Sequence, residues 1–152
     1  MSALATIRET DRKDGVIVAH PVLAGEILYK GSTCVLDTTT KTAQSNDGTT
    51  VLLSAGDIFA GVVVETVDNT AGGKSVRLYK KGTFLFPFPV GDGMATTKVG
   101  LPVYINNTSD DGTVTLTTDA GVDLKIGIVA QLGDTANTAY VQIDNAIGNT
   151  AA

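Results

Sequence analysis

Between Asp57 and Val90 the chain alternates apolar runs with turn-forming polar residues. The first run, Asp57-Ile-Phe-Ala-Gly-Val-Val-Val-Glu-Thr66, is apolar on both faces, so two-residue alternation does not describe it. A short β-branched run of this kind reads as a strand buried between two layers. The turn that follows, Asp68-Asn-Thr-Ala-Gly-Gly73, supplies Asn and Gly where positive φ is needed. It predicts a hairpin, with a slightly long loop, joining the first run to residues 75–81. The next run, residues 82–90, carries Phe84, Phe86 and Phe88. Pro87 and Pro89 lack an N–H, so this run belongs at a sheet edge or leaves the sheet.

Further strands are predicted at 15–20, 31–37, 49–53, 101–106, 113–118, 124–132 and 138–144, and residues 22–30 are broken by Gly25. Residues 38–48 read as a polar loop, and 91–100 as a loop with at most one helical turn. Turn signals recur at the spacing of a sandwich or barrel. The expected fold is all-β. It is a compact sandwich or barrel-like domain, of β-tulip or jelly-roll type, with about ten short strands and no helix. The domain is placed at 15–145, after a flexible N-terminal arm at 1–14 and before a short tail at 146–152.

The pattern also echoes itself. Gly31-Ser-Thr-Cys-Val-Leu-Asp37 resembles Gly100-Leu-Pro-Val-Tyr-Ile-Asn106, and Gly48-Thr-Thr-Val-Leu-Leu53 resembles Gly112-Thr-Val-Thr-Leu-Thr117. Phe59-Ala-Gly-Val-Val-Val-Glu-Thr-Val-Asp68 resembles Lys125-Ile-Gly-Ile-Val-Ala-Gln-Leu-Gly-Asp134. Gly61 and Gly127 are then equivalent, each inside an apolar strand, where glycine marks a bulge or a close backbone approach. Two similar β-units would pack their apolar faces together.

Composition narrows the function. The 152 residues are enough for one domain with a substantial core. Only 18% are charged, the net charge is −5, and Thr, Ser, Asn and Gly are abundant. Such a surface suits packing against other protein and lacks the basic stripe of a nucleic-acid binder. Cys34 is the single cysteine, so no internal disulfide is possible, and a reducing site of synthesis fits. No apolar run reaches membrane-span length, and no secretory signal is evident, so no membrane partner is expected.

Candidate chemistry is sparse. His20, the single histidine, could pair with Cys34 or a serine as base and nucleophile. Otherwise it is a strand-end residue before Pro21. Asn107-Thr-Ser-Asp-Asp-Gly112 resembles a calcium loop, but position twelve is Thr118 rather than Glu, so it reads as a hairpin turn. Gly91-Asp-Gly93 lacks the final glycine of a dinucleotide loop, because Thr96 stands there. Lys80-Lys81 reads as a solvated strand end that discourages aggregation. One His and one Cys cannot form a tetrahedral N/S metal site, and Glu9, Glu26 and Glu65 lie in separate segments. No catalytic, cofactor or metal residues are assigned, and no enzymatic activity is expected.

Five segments in order, Ala24–Gly31, Phe59–Thr66, Val76–Phe84, Val99–Ile105 and Ile126–Val129, resemble the small capsid cement, or head decoration, proteins of tailed bacteriophages. The resemblance spans most of residues 15–144, and it covers neither the N-terminal arm nor the loop 38–48. It implies a β-rich homotrimer on the outer surface of the virion head, made in the bacterial host cytoplasm. Its partners would be the major capsid protein and itself, with no direct contact to nucleic acid. The trimer would sit at threefold or quasi-threefold positions and stabilise the shell against internal DNA pressure. The N-terminal arm would become ordered on the capsid through Leu4, Ile7 and Arg8. The competing expectation is a β-sandwich adhesin or carbohydrate-binding module, which would need an exposed aromatic platform.

Overall fold

The structure, a computed structural model, describes residues 17–45, 56–105, 114–117 and 124–144. The fold is all-β, as the sequence predicts. The strands in chain order are β1 (Ile17–Pro21), β2 (Ile27–Leu28), β3 (Thr33–Leu36), β4 (Ala43–Ser45), β5 (Ile58–Val63) and β6 (Val67–Asp68). They continue with β7 (Ser75–Tyr79), β8 (Lys81–Pro87), β9 (Pro102–Ile105), β10 (Val114–Thr115), β11 (Lys125–Leu132) and β12 (Thr138–Asp144). Two 3₁₀ turns, Val90–Asp92 and Thr96–Lys98, occupy the segment expected to hold one helical turn.

Among the described residues the strands form two antiparallel five-stranded sheets, in the orders β1-β7-β5-β3-β4 and β8-β12-β11-β9-β10, plus the small ladder β2-β6. These two orders are one topology used twice: β1, β3, β4, β5 and β7 correspond to β8, β9, β10, β11 and β12. The chain is a tandem of two five-stranded units, and Lys80 alone separates them.

The correspondence reaches single hydrogen bonds. The Gly31 N–H donates to the Val63 carbonyl at 2.9 Å, and the Gly100 N–H to that of Val129 at 2.8 Å. The Val63 N–H donates to Ser32, and the Val129 N–H to Leu101, both at 3.0 Å. The Val22 N–H reaches the Lys74 carbonyl, and the Phe88 N–H that of Asn137. Both β5 and β11 carry a bulge at the matching place. Cys34 pairs with Gly61 and Val35 with Phe59, skipping Ala60; Val103 pairs with Gly127 and Tyr104 with Lys125, skipping Ile126. A Cβ on Gly61 would overlap the Tyr79 carbonyl oxygen, and one on Gly127 the equivalent oxygen of Gln142. Both glycines therefore stand where a neighbouring backbone leaves no room for a side chain.

β5 is buried on both faces, as its pattern predicts. Ala60 and Val63 face an inner cluster with Val22, Leu28, Cys34, Ala43, Val76 and Leu78. Val35, Phe59 and Val62 turn the other way, into a larger cluster with Phe86, Val103, Ile126, Val141, Ile143 and other inward residues of the second sheet. The outer face of the first unit thus packs against the inner side of the second. The Tyr79 and Phe84 rings, 5.4 Å apart, lie on either side of Lys80. Each fully buried Val, Leu, Ile or Phe contributes roughly 1.5–3 kcal/mol, so this shared cluster is a principal source of stability.

Several local expectations are corrected. β5 pairs with β7 as foreseen, but the connection is no simple hairpin, because β6 pairs with β2 inside it. The positive φ values fall on Gly72 and Gly73, not on Asn69. Asn69 is buried and works through its side chain. Its Nδ2 donates to the Val22 and Leu23 carbonyls at 3.0 and 3.1 Å, and its Oδ1 accepts from the Lys74 N–H at 2.9 Å. β4 forms within the expected polar loop at 38–48. The expected strand at 49–53 lies outside the described residues. β8 is the edge strand that its prolines predict. The strands lie in antiparallel sheets and form a curled half-barrel.

Candidate functional site

The duplication supplies an internal standard: at each position of one unit the other shows what the fold itself requires. The inner side of the second unit carries Phe86, Val103 and Ile143, all buried. At the equivalent positions the first unit carries His20, Cys34 and Lys80, and the first two are the histidine and cysteine of the candidate base–nucleophile pair.

His20 lies on β1 opposite Val76 and is partly buried. Its Nε2 is buried and has no hydrogen-bond partner among the described residues. Burial, and then the nearby Lys80 charge, hold its pKa below the ordinary value. Cys34 is fully buried, and its thiol donates to the Gln44 carbonyl at 3.4 Å. Burial pushes its pKa up to about 12, so it is a neutral thiol near pH 7 and a poor nucleophile. Lys80 corrects the sequence reading. It is not a fully solvated strand end, because its Nζ donates to the Ala60 carbonyl at 2.6 Å from a half-buried position. Burial lowers its pKa. It ties the junction between units to the bulge of β5. Lys81 is exposed, as expected.

Two buried acids occupy equivalent places, Glu26 and Asp92. The Glu26 N–H donates to Leu23, and the Asp92 N–H to Pro89, in matching turns. The Asp92 carboxylate accepts from the Thr115 hydroxyl and the Leu116 N–H, each at 3.0 Å, and so fastens the 3₁₀ turn to β10. The Gly91-Asp-Gly93 segment is therefore a structural clasp. Glu65 is exposed and ion-paired with Arg77 on the outer face of the first sheet. No group of three or more His, Cys, Asp or Glu side chains placed to hold a metal ion occurs among the described residues. Leu4, Ile7, Arg8, Glu9 and the Asn107–Gly112 turn lie outside the described residues.

The outer face of the second sheet also exposes large apolar side chains, which the sequence reading did not single out. Leu85 pairs directly with Tyr140, and Ile128 directly with Pro102, on neighbouring strands. Leu101 precedes Pro102, and its carbonyl accepts from the Val129 N–H. Leu85 is 51% exposed and Ile128 38% on this face, with exposed Gln142 paired beside Ile128, while Leu101, 41% exposed at the start of the strand, has the inward parity of Val103. At the equivalent positions the first unit carries Ala19 for Leu85, Arg77 for Tyr140, Ser32 for Leu101 and Thr33 for Pro102. The equivalent of Ile128 is Val62, which is apolar too but buried against the second unit, and the first unit also exposes Ile17, Ile27 and Tyr29. Alternation along β8 and β12 was the available signal, but it required knowing which face points outward. Among the described aromatic residues, Tyr29 alone belongs to the strongly exposed apolar set, and one ring is not a platform.

No protein-family model matches this chain, and no curated protein matches it.

Proposed function

We propose that this chain is a capsid decoration protein of a tailed bacteriophage. It would bind the outer surface of the mature head, as a trimer at threefold or quasi-threefold sites, and stabilise the shell against internal DNA pressure. The observation that carries this reading is the outer face of the second sheet, which exposes Leu85 and Ile128 on a rigid β body of low charge. A cement protein works by contact over a fixed shape. Its many identical copies make modest affinity per site sufficient. The ordered segments that resemble cement proteins in sequence supply the second strand of the argument.

The test adds purified protein to expanded heads lacking a decoration protein. Saturable binding at symmetric positions, with raised resistance of the heads to heat, is the expected result. Absence of binding to such heads rejects the reading. Removing residues 1–14 is expected to lower occupancy while leaving the unfolding transition of the free protein unchanged. Equal occupancy would remove Leu4, Ile7 and Arg8 from the contact.

A further inference from the structure

We infer that the turn at 88–92 of the second unit, with Asn137 beside it, is a socket for an asparagine presented by a loop of a partner polypeptide. The inference rests on the comparison of the two units and is independent of the decoration reading.

The first unit shows what such a turn binds. Asn69 lies against the equivalent turn, 22–26, and is held through its backbone and its side chain together. Its Nδ2 donates to the Val22 and Leu23 carbonyls, and its N–H donates to the Glu26 carbonyl at 2.8 Å. Its carbonyl accepts from the Gly25 N–H at 3.0 Å, and its Oδ1 accepts from the Lys74 N–H at 2.9 Å. Asn69 reaches this place because the chain leaves the first sheet after Val63 and returns through β6, which pairs with β2. In the second unit β11 stays paired with β12 as far as Leu132, opposite Ala139, and residues 133–137 close the turn directly. The connection is shorter, 130–137 against 64–74, and no residue stands in the place of Asn69.

The groups that Asn69 engages are nevertheless kept. Their counterparts are the carbonyls of Phe88, Pro89 and Asp92 and the N–H groups of Gly91 and Asn137. Among the described residues the one hydrogen bond to any of them is from the Asp92 N–H to Pro89, which the first unit matches from Glu26 to Leu23. Asn137 also lines a cleft of about 240 Å3, together with Met94, Leu132, Asp134 and Thr138. Met94 is only partly buried, whereas its counterpart Leu28 is fully buried and paired with Val67 of β6. The mixture of donors and acceptors specifies the ligand. A carboxamide both donates and accepts, and the peptide unit that carries it supplies the remaining donor and acceptor. A carboxylate cannot donate to the Phe88 and Pro89 carbonyls, and it would meet the Asp134 charge. An ammonium group cannot accept from the Asn137 N–H.

The experiment titrates the isotope-labelled full chain with a head-to-tail cyclised peptide copying residues 66–74, and follows the backbone amides by NMR. Cyclisation limits the ordering cost of the free loop. Two further peptides carry Asp or Ala in place of the asparagine. The expected result is a saturable shift of the Gly91 and Asn137 amides with the asparagine peptide, and binding about tenfold weaker with the other two, as lost hydrogen bonds of this kind imply. A chimera in which residues 64–74 replace 130–137 carries its own asparagine and is expected to give no response. Three results would overturn the inference: no saturable shift at Gly91 and Asn137, equal affinity for the three peptides, or a folded chimera that responds as wild type does. Should the chimera fail to fold, the three peptides decide the matter by themselves. No phage head takes part, so failure of the decoration test leaves this inference standing, and failure here leaves the decoration reading to its own test.

Discussion

At the residue scale, the same amino acid has different worth at different sites, and the paired units make the comparison direct. Gly31 and Gly61 both have positive φ, +83° and +138°, but a Cβ on Gly31 meets nothing while one on Gly61 strikes the Tyr79 carbonyl. Gly31→Ala is expected to cost about 1–2 kcal/mol, the left-handed backbone penalty alone. Gly61→Ala is expected to cost about 3 kcal/mol or more, because the sheet must also open. Urea unfolding of the two variants measures the difference, and equal costs would contradict the close approach. His20 gives a pH effect whose sign follows from its lowered pKa. The folded state favours the neutral ring, so the unfolded chain binds the extra proton first. Stability is therefore retained above the unfolded value near 6.5 and falls as pH drops from there through the lower folded value. Replacing His20 by Phe, as the second unit has in Phe86, should flatten the dependence of Tm on pH between neutrality and that lower value. A variant as acid-sensitive as wild type would assign the effect elsewhere.

At the scale of strands and sheets, much was legible because hydrophobic periodicity reports burial directly. The two-faced apolar run became β5, and the proline-bearing run became the edge strand β8. The pairing of Gly61 with Gly127 held to the residue, since a bulge glycine leaves a mark that survives sequence divergence. The ladder β2-β6 was not legible, because two-residue strands carry no period. β4 was hidden in a polar stretch whose pairing is set by its neighbour β3. Asn69 was misread as a turn former because sequence does not distinguish an Asn that bends the chain from one that ties three backbone groups. Its buried bonds predict that Asn69→Ala costs roughly 2–3 kcal/mol, as donors and acceptors around it lose their partners. Phe59, fully buried between the sheets, should be costlier still, about 3–5 kcal/mol for Phe59→Ala. Chemical denaturation measures both.

At the scale of the molecule, the first unit's interior carries His20, Cys34 and Lys80 where the second carries Phe86, Val103 and Ile143, and the first unit's outer face is covered by the second while the second's exposes Leu85 and Ile128. The two units share one topology but differ in the side chains at these positions. The difference was invisible in the sequence, since it depends on which side of each strand points inward.

The register at the junction places four strand ends together. Ile17 at the start of β1 lies opposite Tyr79, and Asp144 at the end of β12 lies opposite Lys81, with Lys80 between those two partners. Entry into the first sheet and exit from the last are therefore neighbours. A circularly permuted gene that opens at Lys80 and splices β12 onto β1 with a short flexible bridge would reverse the order of the halves while leaving every strand where it is.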